Sequence, residues 1–404
     1  MFNVDDIRKD FPVLSNSKTI YLDNAATTYK PQVVIDAVTH YLTMETSNSG
    51  RGDYHDAYLV DQKVLETRQL VQSFIHAKHL EEVIFTSGTT MSLNMIAQGF
   101  GARFLKAGDE VILSIGEHAS NTLPWFDIAE KTGAKIIFMD LAEDGSISPE
   151  ILERTMSPRT KVVAINHISN VVGQINDVKK LAAIAHQQGA IIVVDGAQSV
   201  PHIKTDVQAL DIDFLAFSGH KMLAPTGVGV LYGKRALLDQ MSPYLTGGGN
   251  NHSYDKSGHV NLFGLPQKFE AGTLNLEAIY GFNAALKYLS KIGLENIAKH
   301  ELELRSYAIQ ALKEMPHIVL YNENAHTGII TLNVKGVHAQ DAATYFNSKN
   351  IAVRSGQHCA KVLKTFLHED ATVRASIYLY TTKEDIDAFI EAARTAEDFL
   401  DAYF

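Results

Sequence analysis

The chain has 404 residues, of which 46% are hydrophobic and 20% charged, a composition ordinary for a globular enzyme and a length that suits two or three domains. It carries 36 Lys and Arg against 46 Asp and Glu, a formal charge of −10, and no basic cluster that could track a phosphate backbone, which argues against nucleic acid as a partner. No run of about 18 apolar residues promises a membrane span, and the charged start Met1-Phe-Asn-Val-Asp-Asp6 is unlike a signal peptide, so a cytoplasmic protein without a membrane partner is expected.

In chain order, residues 1–20 read as an amino-terminal arm, and from residue 82 onward short β-branched runs alternate with amphipathic stretches. Glu82–Phe85 is the first predicted strand; it ends in Thr86-Ser-Gly-Thr-Thr90, where Gly88, Thr89 and Thr90 open a helix over Met91–Leu105 and could cradle an anion on backbone N–H groups. Strands follow at Glu110–Leu113, Lys135–Phe138 and Lys161–Ile165, with His118 just beyond the first of these, where a surface histidine is the commoner fate. A helix over Val178–Gln188 leads to the strand Ala190–Val194, which delivers Asp195 and, three residues on, Gln198. An Asp at that place is either a helix N-cap or a carboxylate for a ring nitrogen.

The strand Asp213–Phe217 delivers Ser218, His220 and Lys221 into a Pro/Gly-rich loop. A lysine after a strand is usually a solvated surface residue, but Ser218 and His220 can donate to a phosphate, and a desolvated lysine is a nucleophile toward an aldehyde. After the seventh strand, Gly229–Tyr232, residues 247–273 read as a long irregular excursion, interfacial or functional by its length. Long helices are predicted over Leu276–Ile292 and Leu294–Lys313, then a smaller α/β unit with strands at Gly328–Leu332 and Val373–Tyr378 and a last helix from about Lys383. Near-continuous apolar strands separated by helices predict a mostly parallel seven-stranded sheet covered on both faces, with chemistry at the carboxyl ends of its strands. The expected division is a large domain over 21–270 and a small one over 271–404, which holds the single cysteine, Cys359. One cysteine precludes an internal disulfide, and a lone cysteine is most often a small buried apolar residue.

Four motifs, Ser-Gly-His-Lys221, Val-Asp-Gly-Ala-Gln198, Glu-Ala-Gly-Thr273 and Arg-Ser-Gly-Gln-His-Cys359, with Tyr21-Leu-Asp-Asn-Ala-Ala-Thr-Thr28 and Arg374-Ala-Ser-Ile-Tyr-Leu-Tyr380, resemble the class V aminotransferases of fold type I. Within them the chain is similar to the group II, SUF-type cysteine desulfurases. That resemblance implies pyridoxal 5′-phosphate as cofactor, no metal, and Lys221 as its Schiff-base lysine. It assigns Asp195 to the pyridinium nitrogen, Gln198 to the ring oxygen and His118 to stacking on the ring. Thr89, Thr90, Ser218 and His220 are implied at the phosphate, with Thr273 reaching across a homodimer. Ala26, Asn170, Arg354 and Arg374 are implied around the substrate L-cysteine. Cys359 is implied as sulfur acceptor, forming a persulfide with release of alanine, its thiolate favoured by His358, Arg354 and Arg374. The sulfur would pass to a SufU- or SufE-like acceptor of the SUF system for iron-sulfur cluster assembly. Selenocysteine lyase or another class V lyase or aminotransferase is the rival reading. The chain departs from the family at Arg51-Gly-Asp-Tyr-His55, one residue longer than the usual Arg-Gly-x-His, at Leu274 in place of Pro, and at Gln357 in place of a second His.

Overall fold

The computed structural model describes residues 2–50 and 52–402. Strands β1 (Val83–Thr86), β2 (Glu110–Ser114), β3 (Lys135–Met139), β4 (Thr160–Asn166), β5 (Ile191–Asp195), β6 (Phe214–Ser218) and β7 (Gly229–Gly233) form one sheet in the order β1-β7-β6-β5-β4-β2-β3. All neighbours are parallel except that β7 runs antiparallel to both β1 and β6. The segment from Gly219 to Val228 that joins β6 to β7 contains only one short turn, and a parallel crossover needs a dozen residues or more, usually with a helix.

Alternate residues of the central strands enter two different cores. Ile112, Val163, Val194 and Phe217 pack on one face, and Val111, Val162, Val193 and Ala216 on the other. Burial on both faces is why these strands read as unbroken apolar runs. The helix predicted over 91–105 forms in pieces: Thr89–Ile96 is α-helical, Ala97–Gly101 widens into a π-turn, and Ala102–Phe104 completes it. Gly99 lies in that turn, and a Cβ there would meet the Ser242 carbonyl at 2.4 Å, so the turn brings backbone against backbone. The excursion at 247–273 is also less irregular than its sequence suggests, since it contains the hairpin of β8 (Asn251–Tyr254) and β9 (Val260–Leu262).

A second, antiparallel sheet follows in the order β10 (Ile318–Leu320), β11 (Ile329–Val334), β13 (Thr372–Ser376) and β12 (Arg354–Gly356). It shares a core with the helices Leu294–Lys313, Ala339–Ser348 and Lys383–Arg394. The two sheets are stitched near the amino terminus. Ile20–Tyr21 pairs with Ile351–Ala352, Leu22 enters the second core, and the Asn24 amide donates to the Ser376 carbonyl at 2.7 Å. This stitching lays residues 23–28 along the seam between the sheets, against the ends of β5 and β6. Among the described residues no helix is long and apolar enough to cross a membrane.

Candidate active site

β6 ends at Ser218, and the single turn Gly219–Lys221 turns Lys221 into the seam. Its Nζ makes no hydrogen bond to the described residues. Burial holds the ammonium down to about 8, against the pull of Asp195 and with Arg374 adding to the depression. β5 ends at the buried Asp195, whose Oδ1 accepts from the Ala197 N–H at 2.9 Å while Oδ2 takes no bond from the described residues. The local capping contact and a free carboxylate oxygen are thus present together. The Gln198 amide donates to the Ala25 carbonyl at 2.7 Å, which fixes its head group.

The helix Thr89–Ile96 starts at Gly88, whose φ of 150° is open to glycine and which offers no side-chain cap of its own. Ser218 Oγ accepts from the Thr89 N–H at 2.8 Å and lies 2.7 Å from Thr89 Oγ1, tying this turn to the lysine turn. Thr90 Oγ1 meets Ser120 Oγ at 2.8 Å, and His220 Nδ1 meets Thr27 Oγ1 at 3.2 Å. Burial pulls His220 down to about 4, so its ring is neutral at pH 7. His118 Nδ1 accepts from the Ser120 N–H at 3.1 Å, which puts the ring proton on Nε2, and burial lowers its pKa as well. Behind it Glu117 is fully enclosed and accepts from Ser114 Oγ, Asn121 Nδ2, Asn166 Nδ2 and the Asn166 N–H; burial nevertheless pushes its carboxyl up to about 7.

The opposite wall comes from the second sheet. Arg374 on β13 is buried, donating from one terminal nitrogen to the Asn170 carbonyl at 2.9 Å and from the other to Asp23 at 3.3 Å, while its Nε has no partner. Arg354 on β12 grips the same Asp23 through Nε, at 3.1 Å to each carboxylate oxygen, and through a terminal nitrogen at 2.7 Å. Cys359 follows, exposed between the buried His358 and Ala360, and both His358 (φ 50°) and Cys359 (φ 58°) are left-handed, a conformation costly for residues with a Cβ. The loop is tied down by the Ala119 N–H donating to the Cys359 carbonyl at 2.7 Å and by Asn170 Nδ2 donating to the His358 carbonyl at 2.8 Å. The expectation that His358 supplies positive charge to the thiol is not met. Burial and the neighbouring Arg374 pull its ring down to about 3, and its Nε2 is engaged with Thr372.

Ala26, Thr89, Thr90, His118, Asn170, Asp195, Gln198, Ser218, His220, Lys221, Arg354, Cys359 and Arg374 all line one cavity of about 260 Å³. Thr273 does not; it is exposed in a loop of the same chain, away from this cavity. His55 is exposed at the start of a helix outside the cavity, and Arg51 lies outside the described residues. Asp23, Glu117, Ser120 and Asn166 escaped the sequence reading. For Asp23 the available signal was an acidic residue at the end of the apolar Tyr21-Leu22 pair.

Residues 20–389 match the family described as Aminotransferase class-V. The chain belongs to the class V aminotransferases. A probable cysteine desulfurase of Halalkalibacterium halodurans is 44% identical over 100% of both chains. Another, of Staphylococcus aureus strain N315, is 42% identical over 100% of this chain and 99% of its own. Among solved structures, the Escherichia coli cysteine desulfurase CsdA in its S-sulfonic acid form superposes with a TM-score of 0.92 at 36% identity, covering 98% of this chain and 99% of that one. An apo cysteine desulfurase of Thermococcus onnurineus gives a TM-score of 0.93 at 36% identity over 98% of each. For a class V aminotransferase the implied cofactor is pyridoxal 5′-phosphate, and the donor set fits it. The helix turn, capped only from Ser218 at the Thr89 N–H, suits a phosphate, the unbonded Oδ2 of Asp195 suits a ring N–H, and the unbonded Lys221 Nζ suits an aldehyde.

Proposed function

We propose that this class V aminotransferase is a cysteine desulfurase that converts L-cysteine to L-alanine and carries the sulfur as a persulfide on Cys359. The observation that supports it most is that the single cysteine of the chain shares one cavity with Lys221, Asp195 and Arg374. Transamination and lyase chemistry require the lysine but no thiol.

When bound, pyridoxal 5′-phosphate supplies an aldehyde carbon that takes amino groups and a ring that accepts the electron pair released from Cα. Thr89, Thr90, Ser218 and His220 would hold its phosphate, Asp195 its ring nitrogen, Gln198 its ring oxygen, and His118 would stack on the ring. Arg374, already oriented by the Asn170 carbonyl, keeps its Nε free for the substrate carboxylate. Lys221, whose amine is partly neutral at pH 7, takes the Cα proton. The Cys359 thiolate attacks the substrate sulfur: a sulfur–sulfur bond forms, the substrate carbon–sulfur bond breaks with its electron pair going to carbon, and protonation of that carbon yields alanine. The persulfide sulfur then passes to a thiol of a SufU- or SufE-like acceptor for iron-sulfur cluster assembly in the cytoplasm. The exposed Thr273 completes the phosphate site of a second copy in a homodimer.

Cys359→Ser tests the reading. The variant should bind cofactor and L-cysteine yet release almost no alanine, and wild type given L-cysteine should carry one extra sulfur on the Cys359 peptide, removable by reductant. Alanine release from the variant at the wild-type rate refutes the reading.

A further inference from the structure

Asp23 has no direct contact with the sulfur chemistry, yet it is the ionic hub of the wall that carries Cys359. Its carboxylate binds Arg354 through three contacts of 2.7–3.1 Å and Arg374 through one of 3.3 Å. The Arg354 side chain keeps 49% of its surface exposed, whereas Asp23 keeps 15% and Arg374 only 3%, so the pairs are held in a partly dry setting where charge carries further than in bulk water. Arg354, Arg374 and Lys221 line the same cavity as Cys359, so the thiol lies in the field of three cationic side chains. The other titratable groups lining the cavity are Asp195, whose carboxylate faces the lysine, and the His118, His220 and His358 rings, all driven toward neutrality by burial.

We propose that Asp23 sets the reactivity of the Cys359 thiol by holding Arg354 in a shared ion pair, so that part of the guanidinium charge is taken up before it reaches the sulfur. Two arginines and one carboxylate leave one net positive charge on this wall, enough for one substrate carboxylate at Arg374. Asp23 is therefore a positioning residue: it fixes where the Arg354 guanidinium lies and damps the field that guanidinium applies to the thiol. The proposal rests on Cys359 being the sulfur acceptor. Alkylation without substrate reads the charge arrangement alone, whereas alanine release by Cys359→Ser reads the acceptor role, so the two can fail separately.

The test uses holoenzyme without L-cysteine, treated with iodoacetamide across pH 6–9 and read by mass on the Cys359 peptide. With a single cysteine in the chain, the signal has one source. Asp23→Asn should react about three- to tenfold faster than wild type at pH 7, with its pH profile displaced downward by about half to one unit. Asp23→Glu should restore the wild-type profile, and Arg354→Gln should react at least about threefold more slowly. In the Arg354→Gln background, Asp23→Asn should accelerate the reaction less than it does alone. A rate for Asp23→Asn equal to or below wild type, with an unchanged thermal melt, overturns the proposal, as does equal acceleration in both backgrounds. Should Asp23→Asn not fold, Arg354→Gln decides alone, and an unchanged rate for it overturns the proposal.

Discussion

The depressed pKa of Lys221 has a consequence that can be read before any catalysis occurs. Burial brings its ammonium from the ordinary 10.5 to about 8. At pH 7 a lysine of pKa 8 is about one-tenth neutral, while one at 10.5 is neutral in roughly 3 molecules of 10,000, an enrichment of reactive amine of about 300-fold. Partial burial slows any reagent at this site, so absolute rates do not isolate the effect; the pH midpoint does. Apoenzyme treated with limiting formaldehyde and cyanoborohydride, and analysed peptide by peptide, should show methylation of Lys221 levelling off above about pH 8 while solvated lysines keep gaining rate beyond pH 10. Replacing Asp195 by Asn removes the one nearby carboxylate that favours the ammonium, so the Lys221 midpoint should fall further. A Lys221 profile that still rises between pH 9 and 10.5 refutes the claim that burial dominates at this amine.

Two further outcomes are expected. Arg68→Ala should lower the melting temperature by about 5 °C in thermal scans, because it strands Glu270, which Arg68 now binds through two contacts of 2.8 and 2.9 Å at side-chain exposures of 7% and 6%. Glu117 has a carboxyl raised by burial to about 7 in the folded chain. Between its unfolded value and pH 7 the folded state therefore binds more protons, and this group makes stability fall as pH rises through that window. Glu117→Gln should flatten that fall in melts taken from pH 4.5 to 7, and an unchanged slope would show that the carboxyl stays ionised throughout.

The sheet was legible in the sequence because both faces of its central strands are buried and even the half-exposed edge strand β3 keeps an apolar run, while Asp195, Ser218 and Lys221 stood at strand ends where chemistry collects. The strand order was not legible, since it depends on pairings such as β7 with β1, about 150 residues apart. The hairpin of β8 and β9 was missed because its strands are mostly exposed and polar and lack apolar alternation. Asp23 was missed for the same long-range reason: its meaning arises only where residues 23, 354 and 374 meet across the seam. His358 looked like a cation beside a thiol, but sequence does not reveal burial of a single ring, and it is burial that discharges it.

The tether between the Ala119 N–H and the Cys359 carbonyl bears on how sulfur can be handed over. The Cys359 carbonyl is held by the turn beside His118 and the preceding carbonyl by Asn170, so swinging the loop outward would first break both hydrogen bonds. What remains free is rotation about the Cα–Cβ and Cβ–S bonds, and a persulfide extends the side chain by only about 2 Å. Under the proposed persulfide mechanism, an arm this short calls for a receiving thiol that enters the mouth of the cavity, so the proposed acceptor would present its sulfur on a protrusion.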